Sequence, residues 1–233
     1  MRIITEQAAH WLPALLQISD AAFPTGSYAH SFGLEEMVRQ GQVHDEASLR
    51  GFLHEHVIPG LTHVDLPLVR ESRAAAMAGN REDLIAVDEL AAALRVPREL
   101  REASLQTGRR RLAILIRLRA TPELELLHEI SRENALAGHH AIVWGVSCVS
   151  IPLRESLQAY YYHCVSCICT AAPKLIRLGQ EGTQRVLGAC LAETGGRIAQ
   201  ALTIPREAIG WFDPLLDIAS MRHETADERL FIS

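Results

Sequence analysis

The sequence contains almost no lysine. Lys174 is the single lysine among the 23 basic residues of this 233-residue chain, and the rest are arginines. A nucleotide-binding P-loop needs a Gly-rich turn that ends in Lys and then Ser or Thr, so that backbone N–H groups and an ammonium surround the phosphates. Lys174 instead follows Ala-Ala-Pro and precedes Leu. The sequence therefore excludes ATP or GTP binding through a P-loop.

A basic surface and a membrane segment are also lacking. The net charge is -5 and the pI is near 6.1, and the only basic run, Arg109 to Arg111, is too short for a nucleic-acid footprint. No apolar stretch reaches the ~18 residues of a membrane helix, and no charged, apolar and small-residue leader is present. We therefore expect a cytoplasmic protein that binds neither nucleic acid nor membrane.

Signatures of catalysis are missing as well. There is no G-x-S-x-G nucleophile elbow and no spaced carboxylate pair in a recognisable cleft pattern. His223-Glu224 begins like the zinc motif H-E-x-x-H, but position 227 is Asp. We expect no enzymatic activity and no cofactor. A solvated polar face with interface contacts is favoured over weak metal binding by His223 and Asp227.

The five cysteines are an odd set in apolar surroundings, which is typical of buried reduced thiols in a reducing compartment. Cys164 and Cys167 form one C-x-x-C pair beside His163. A helix would turn Cys169 about 140° away from Cys164, so four ligands cannot converge. Core thiols are favoured, and a two-ligand or dimer-shared metal contact is the alternative. Structural or surface roles are also favoured for the grouped histidines, which are His139, His140, His54, His56 and His63.

Helical periodicity dominates the chain, and runs with a period of two, repeats and low-complexity linkers are absent. A hydrophobic content of 48% is enough to form a core. The prediction is an all-α, single compact domain of about ten helices. Asp45 and Asn80 are predicted helix caps. The predicted helices cover 5–22, 28–40, 45–59, 65–78, 81–94, 97–119, 122–138, 152–179 and 180–202, with a buried apolar segment at 139–150.

The last twenty residues, 214–233, begin as a short amphipathic helix and end on Leu230, Phe231 and Ile232. A chain terminus is normally polar and frayed unless something holds it. Three large apolar side chains there indicate that the tail docks, either on its own body or on a partner. We therefore divide the chain into a helical domain, 1–213, and a docking helix and tail, 214–233.

Three separated motifs resemble those of the urease accessory protein family UreF. The first combines Leu-Leu-Gln-Ile-Ser-Asp at 15–20 with Phe-Pro-Thr-Gly-Ser-Tyr-Ala-His-Ser-Phe-Gly-Leu-Glu at 23–35. The second is Lys-Leu-Ile at 174–176 with Leu-Gly-Gln at 178–180 and Gln184. The third is in the tail, with Asp-Ile at 217–218, His-Glu at 223–224 and Arg-Leu-Phe at 229–231. Their order along the chain makes the resemblance specific.

The resemblance implies an all-helical homodimer without enzymatic activity. Proteins of this family join the accessory protein UreD or UreH and the nickel-carrying GTPase UreG, and the assembly helps load nickel into the urease apoprotein. The missing P-loop agrees with this arrangement, because nucleotide chemistry then belongs to the partner. The alternative hypothesis is a metallochaperone that carries nickel on its own Cys and His residues.

By position, the resemblance implies a set of partner-binding residues and no metal ligands. Lys174 and Glu35 match residues that act on the GTPase side and in nickel delivery, and Tyr28 and His30 are expected at the same surface. Pro173 and Arg177 depart from the family pattern and displace the helix break there by about one turn. The complete set is Tyr28, His30, Glu35, Lys174, Gln180, Arg222, His223, Glu224, Arg229, Leu230 and Phe231.

Overall fold

The computed structural model describes residues 10–232, without the side chain of Tyr28. Within that span it is helical and contains no β-strand, which confirms the predicted all-α class. Three short 3-10 helices occupy Ser27–Ala29, Ala172–Lys174 and Arg206–Ala208. The α-helices are α1 Leu12–Ser19, α2 Leu34–Arg39, α3 Glu46–Phe52, α4 Ile58–Gly60, α5 Leu66–Met77, α6 Arg81–Ala93, α7 Arg98–Arg119, α8 Pro122–Arg132, α9 His140–Ser147, α10 Leu153–Ala171, α11 Gln180–Ala192, α12 Thr194–Thr203 and α13 Pro214–Glu224.

The core is built around α9, which packs most extensively on α5 and α7. All its residues from 140 to 146 are buried, as predicted for the apolar segment 139–150. Two glycines allow the close approach of these helices. A Cβ at Gly145 would collide with Ser72 and the Val69 carbonyl of α5, and a Cβ at Gly108 of α7 would collide with the backbone of Gly138.

Local capping follows the sequence closely. Asp45 accepts a hydrogen bond from the Ser48 N–H at 2.8 Å, and Asn80 accepts one from the Asp83 N–H at 3.1 Å. Both residues lie just before a helix, at the ends of α3 and α6 where unpaired backbone N–H groups need an acceptor. The predicted caps are therefore confirmed.

The predicted helix end at Pro59-Gly60 is wrong. The chain remains helical from α3 to α5, and two π-helical turns, Leu53–Val57 and Leu61–Asp65, flank α4. Such wider turns accommodate residues that cannot complete the regular hydrogen-bond ladder. Pro67 is such a residue, because it has no N–H to donate to the His63 carbonyl four residues earlier. That carbonyl accepts a hydrogen bond from the Gly210 N–H at 3.2 Å instead.

Other helix boundaries also differ from the prediction. The helix predicted at 28–40 begins only at Leu34, because Phe32 and Gly33 have positive φ angles of 52° and 84°. The helix predicted at 180–202 is divided into α11 and α12, and those predicted at 122–138 and 152–179 end at Arg132 and Ala171. For the first predicted helix, α1 covers part of the span, and positions 5–9 lie outside the described residues.

The basic run at 109–111 is not a surface patch throughout. Arg111 is completely buried, with its guanidinium carbon 4.4 Å from the Trp144 ring centroid and 5.2 Å from that of Phe23. It donates a hydrogen bond to the Ile18 carbonyl at 3.1 Å. Burial lowers the pKa of Arg111 to about 10, so the side chain stays a cation at neutral pH. Arg111 thus connects α1 to the core.

Within residues 10–232, no helix combines the length and the apolar character that a membrane span requires.

We expect Gly108→Ala to destabilise the protein by about 1–3 kcal/mol, the usual cost of overpacking a tight contact. The added methyl group would overlap the backbone at 138–140, which cannot move as a side chain can. Chemical denaturation would measure the loss. Gly188→Ala is the matched control, because nothing lies within 4 Å of its added Cβ and alanine favours the helix. Equal stability of the two variants would contradict the predicted contact.

Candidate functional site: a buried cluster that seats the tail

Helix α13 lies across α2 and α7, and its start is fixed by Asp213. The Asp213 carboxylate accepts hydrogen bonds from the N–H groups of Leu215 and Leu216 at 3.1 and 3.0 Å. His56 holds the other carboxylate oxygen at 2.7 Å. Pro214 occupies the first helical turn, where a missing N–H is no loss. This cap fixes the direction in which the rest of the tail runs.

His223, in the last turn of α13, is the centre of the site. Its side chain is completely buried, with Nδ1 2.8 Å from a carboxylate oxygen of Glu99 and Nε2 3.0 Å from one of Glu35. The interpretation of this position as a solvated polar face is therefore wrong, since α13 turns His223 inward between α2 and α7. Hydrogen bonds to Glu99, followed by those to Glu35, raise the pKa of His223 although burial opposes them.

Glu35 joins this histidine to the end of the chain. One carboxylate oxygen accepts from the Leu230 N–H at 2.8 Å, and the other accepts from the Phe231 N–H at 3.0 Å. Burial, the largest single effect, raises the pKa of Glu35, but these N–H groups and His223 together bring it below its ordinary value. The Ile232 N–H donates to the Ala29 carbonyl at 2.8 Å. In the isolated chain the tail thus docks on its own body.

The side chains of the tail point alternately inward and outward. Phe231 is buried, and the Lys174 ammonium lies 5.3 Å from its ring centroid, a cation–π distance. Leu230 and Ile232 on either side are 62% and 55% exposed. The direction of Lys174 is thereby defined: the 3-10 turn that contains Pro173 ends on Lys174 and presents it to the tail.

Glu99 is the residue of the site that sequence reasoning missed. It is buried at the start of α7 and accepts from Ser220 at 3.3 Å as well as bonding His223. Arg229 lies 3.6 Å from the same Glu99 oxygen that faces His223. Nothing local marks Glu99, because a glutamate in the first turn of a helix is ordinarily solvated. Its role depends on a contact 124 positions along the chain.

The remaining predicted site residues are scattered. Glu224 pairs with Arg98 of α7, and Arg222 is exposed. Gln180 is exposed in the first turn of α11. The backbone of Tyr28 lies in the turn Ser27–Ala29, whose Ala29 carbonyl holds the tail, while its side chain falls outside the described part.

The expectation that His30 lies at the surface is wrong. This side chain is only 1% exposed, and burial together with the charge of Arg110 lowers its pKa. The positive φ angles of residues 32 and 33 turn the chain sharply after His30. The His30 side chain therefore packs inward against α7. The structure therefore brings Glu35, Lys174, His223 and Phe231 together and buries His30 beside α7.

The outer side of the tail is apolar and exposed. Phe212 is 72% exposed, and Leu215 on the outer face of α13 is 53% exposed. Large apolar side chains exposed together on one segment are typical of interaction sites on proteins. The members of this surface, called here the outer apolar face, are Trp211, Phe212, Leu215, Ile218, Met221, Leu230 and Ile232.

The cysteines are core thiols, as favoured from their apolar surroundings. Cys167 and Cys169 are buried and Cys164 is nearly so, and burial raises the pKa of all three thiols, that of Cys169 to about 12. Metal binding requires the thiolate form. Across residues 10–232, no three His, Cys, Asp or Glu side chains are grouped so that they could hold a metal ion. Burial likewise lowers the pKa of His163 to about 3.

Under the start of α13 lies a cavity of about 190 Å³. Two of its lining carboxylates are paired: Asp65 pairs with Arg95 at 2.5 Å and accepts from the Tyr160 hydroxyl at 3.1 Å, and Asp213 bonds His56 at 2.7 Å. The rest of the lining is mainly apolar. The Asp213–His56 pair supports the helix cap of α13.

Fold and site together define an all-helical protein whose carboxyl-terminal segment is seated by a buried cluster of His223, Glu35 and Glu99 and exposes an outer apolar face. The family model UreF matches residues 43–191. A urease accessory protein UreF of Arthrobacter sp. (strain FB24) is 33% identical over 94% of this chain and 96% of its own length. The protein of the same name from Kocuria rhizophila is 33% identical over 99% of this chain and 100% of its own length. The one from Actinobacillus pleuropneumoniae is 30% identical over 95% of this chain and 99% of its own length.

The chain therefore belongs to the UreF family of urease accessory proteins. The relative from Kocuria rhizophila aligns with 99% of this chain and therefore includes the tail, which lies outside the span of the family model. The resemblance drawn from the three sequence motifs is confirmed.

We expect Glu35→Ala to release the tail without unfolding the body. The substitution removes the acceptor of two backbone N–H groups and one partner of His223, and hydrogen bonds to a charged group contribute about 1.5–3 kcal/mol each. Because the end of a chain can open locally, the global unfolding midpoint should change far less than tail accessibility. Trypsin cleavage after Arg229, followed by mass spectrometry, measures the opening.

The control for this experiment is Glu181→Ala, which removes a carboxylate that is 95% exposed and outside the cluster. Cleavage after Arg229 should be faster in Glu35→Ala than in this control. If the two variants and the parent protein are cleaved at the same rate, Glu35 does not hold the tail.

Proposed function

We propose that this protein is a non-catalytic urease maturation chaperone that assembles with UreD or UreH and with the GTPase UreG. Family membership supports a role in urease maturation. The assembly would regulate nickel insertion into the urease apoprotein. We further propose that it acts in the cytoplasm, since five free cysteines suit a reducing compartment, and that it acts there as a homodimer.

The observation that carries the proposal is the outer apolar face of α13 and the chain end. The inner side of the tail is occupied by its own body, through His223, Glu35 and Phe231, so the outer side remains for a partner. Interface centres are rich in large apolar and aromatic side chains that a partner desolvates. Trp211 and Phe212 at the start of this face are 45% and 72% exposed and fit the role of anchors.

The proposal assigns different roles to the predicted partner-binding residues. Leu230 and the exposed Arg222 would contact UreD or UreH directly. Five other residues would act indirectly, because their contacts in this chain hold the tail in place. They are Glu35, His223, Glu224, Arg229 and Phe231. We assign Lys174, Gln180 and the turn that carries Tyr28 and covers His30 to the GTPase side of the assembly.

We expect Phe212→Asp to weaken binding of UreD or UreH by about 2 kcal/mol or more, the scale of an anchor residue. Since this side chain is already exposed, stability should change little. Titration calorimetry with the purified partner measures the affinity, and urease activation in cells measures the consequence. Leu118→Asp is the matched control, because Leu118 is 58% exposed but lies at the far end of α7. It is about 28 Å along the helix from Glu99, a residue of α7 that contacts α13. Unchanged affinity in Phe212→Asp would remove the outer apolar face from the interface.

A second calorimetric experiment separates the proposal from the nickel-carrier alternative. The buried, protonated thiols predict that the isolated protein does not bind Ni²⁺ stoichiometrically at submicromolar concentration. If such binding is found and disappears in Cys164→Ala/Cys167→Ala, the protein is a carrier and the proposal is wrong.

A further inference from the structure

His223 engages two carboxylates at once, and this arrangement requires a proton. A neutral imidazole has a single N–H, while an ionised carboxylate can only accept hydrogen bonds. Yet Nδ1 lies 2.8 Å from Glu99 and Nε2 lies 3.0 Å from Glu35. Both contacts can be hydrogen bonds only if the cluster contains one proton more than a neutral His223 and two ionised carboxylates would have together. That proton makes either an imidazolium or one carboxylic acid.

The other groups around His223 do not replace this proton. Ser220 donates to Glu99, and Arg229 from the tail approaches Glu99 at 3.6 Å but is 41% exposed. Glu224, the next residue of α13, is neutralised by Arg98 of α7. After loss of the extra proton, an unprotonated ring nitrogen would face a carboxylate oxygen in a buried site. Burying an uncompensated charge is costly.

The same carboxylate that would lose its partner also holds the chain end. Oxygen Oε2 of Glu35 accepts both from His223 Nε2 and from the Phe231 N–H. Its other oxygen accepts from the Leu230 N–H. Any displacement of Glu35 away from a deprotonated His223 therefore pulls on both tail amides.

We propose that His223, Glu35 and Glu99 form a proton-dependent latch that seats residues 230 and 231 on α2 and releases them as the pH rises. The latch is a property of the isolated chain, so it does not depend on which partner binds the outer apolar face. It would make the presentation of that face sensitive to pH.

The direction in which pH changes the stability of the latch follows from the direction of each pKa shift. The pKa of His223 is raised from 6.5, so its contribution is complete below that value and is lost as the pH rises through the raised pKa. The pKa of Glu35 is lowered from 4.5, so its contribution is present above that value and is lost as the pH falls through the lowered pKa. The latch is therefore tightest between these two ordinary values, and it opens on the alkaline side.

Fluorine NMR tests the latch on the whole protein labelled with fluorophenylalanine. The chain has five phenylalanines, and Phe231→Leu assigns the tail signal. From about pH 6 to about pH 9, the ratio of seated to free Phe231 should fall by up to about tenfold for each pH unit between 6.5 and the raised pKa. The exposed-histidine control, His44→Gln, should behave like the parent protein.

His223→Gln should abolish the pH response, because an amide has no proton to lose in this range. The proposal is overturned if Phe231 stays seated to about pH 9, or if His223→Gln shows the same transition as the parent protein. Should that variant not fold, NMR titration of the His223 ring in the parent protein decides the question. Coincident midpoints for ring and tail support the latch, and a ring that titrates while Phe231 stays in place contradicts it.

Discussion

The placement of the carboxyl-terminal segment depends on one buried interaction, the contact of His223 with Glu35 and Glu99. It ties α13 to α2 and α7 at a point where none of these side chains is more than 11% exposed. The backbone makes this contact possible, since Gly33, with a φ of 84°, turns the chain directly before α2 and two residues before Glu35. A Cβ at Gly33 would lie 2.8 Å from Leu216, so glycine also lets α13 approach. Without this approach Glu35 could not reach His223 and the tail amides together.

The tail consequently has two sides with different chemistry. The inner side is bound by hydrogen bonds to Glu35 and by the contact of Phe231 with Lys174. The outer side is apolar and open. Holding the backbone in place while leaving apolar side chains exposed is how a binding surface is preorganised, since less conformational entropy is lost when a partner arrives. This arrangement is the physical basis for assigning the tail to partner binding.

Features that depend on near neighbours were predictable from the sequence. The caps at Asp45 and Asn80 and the helical class follow from local chemistry and periodicity. Resemblance identified Glu35, Lys174 and Phe231, which the structure places together. Glu99 could not be predicted, because its partner is 124 positions away and a helical glutamate has no local mark. The helix end expected at Pro59 also did not form, because π-helical turns on either side keep the chain helical.

The most direct test of the central claim, that the isolated chain seats its own tail, is hydrogen exchange at the amides of Leu230, Phe231 and Ile232. These amides donate to Glu35 and to the Ala29 carbonyl. Measured near pH 6 without any partner, they should exchange far more slowly than the same residues in an unstructured peptide. Exchange at the rate of the unstructured peptide would contradict the account, because the tail would then acquire its structure only from a partner.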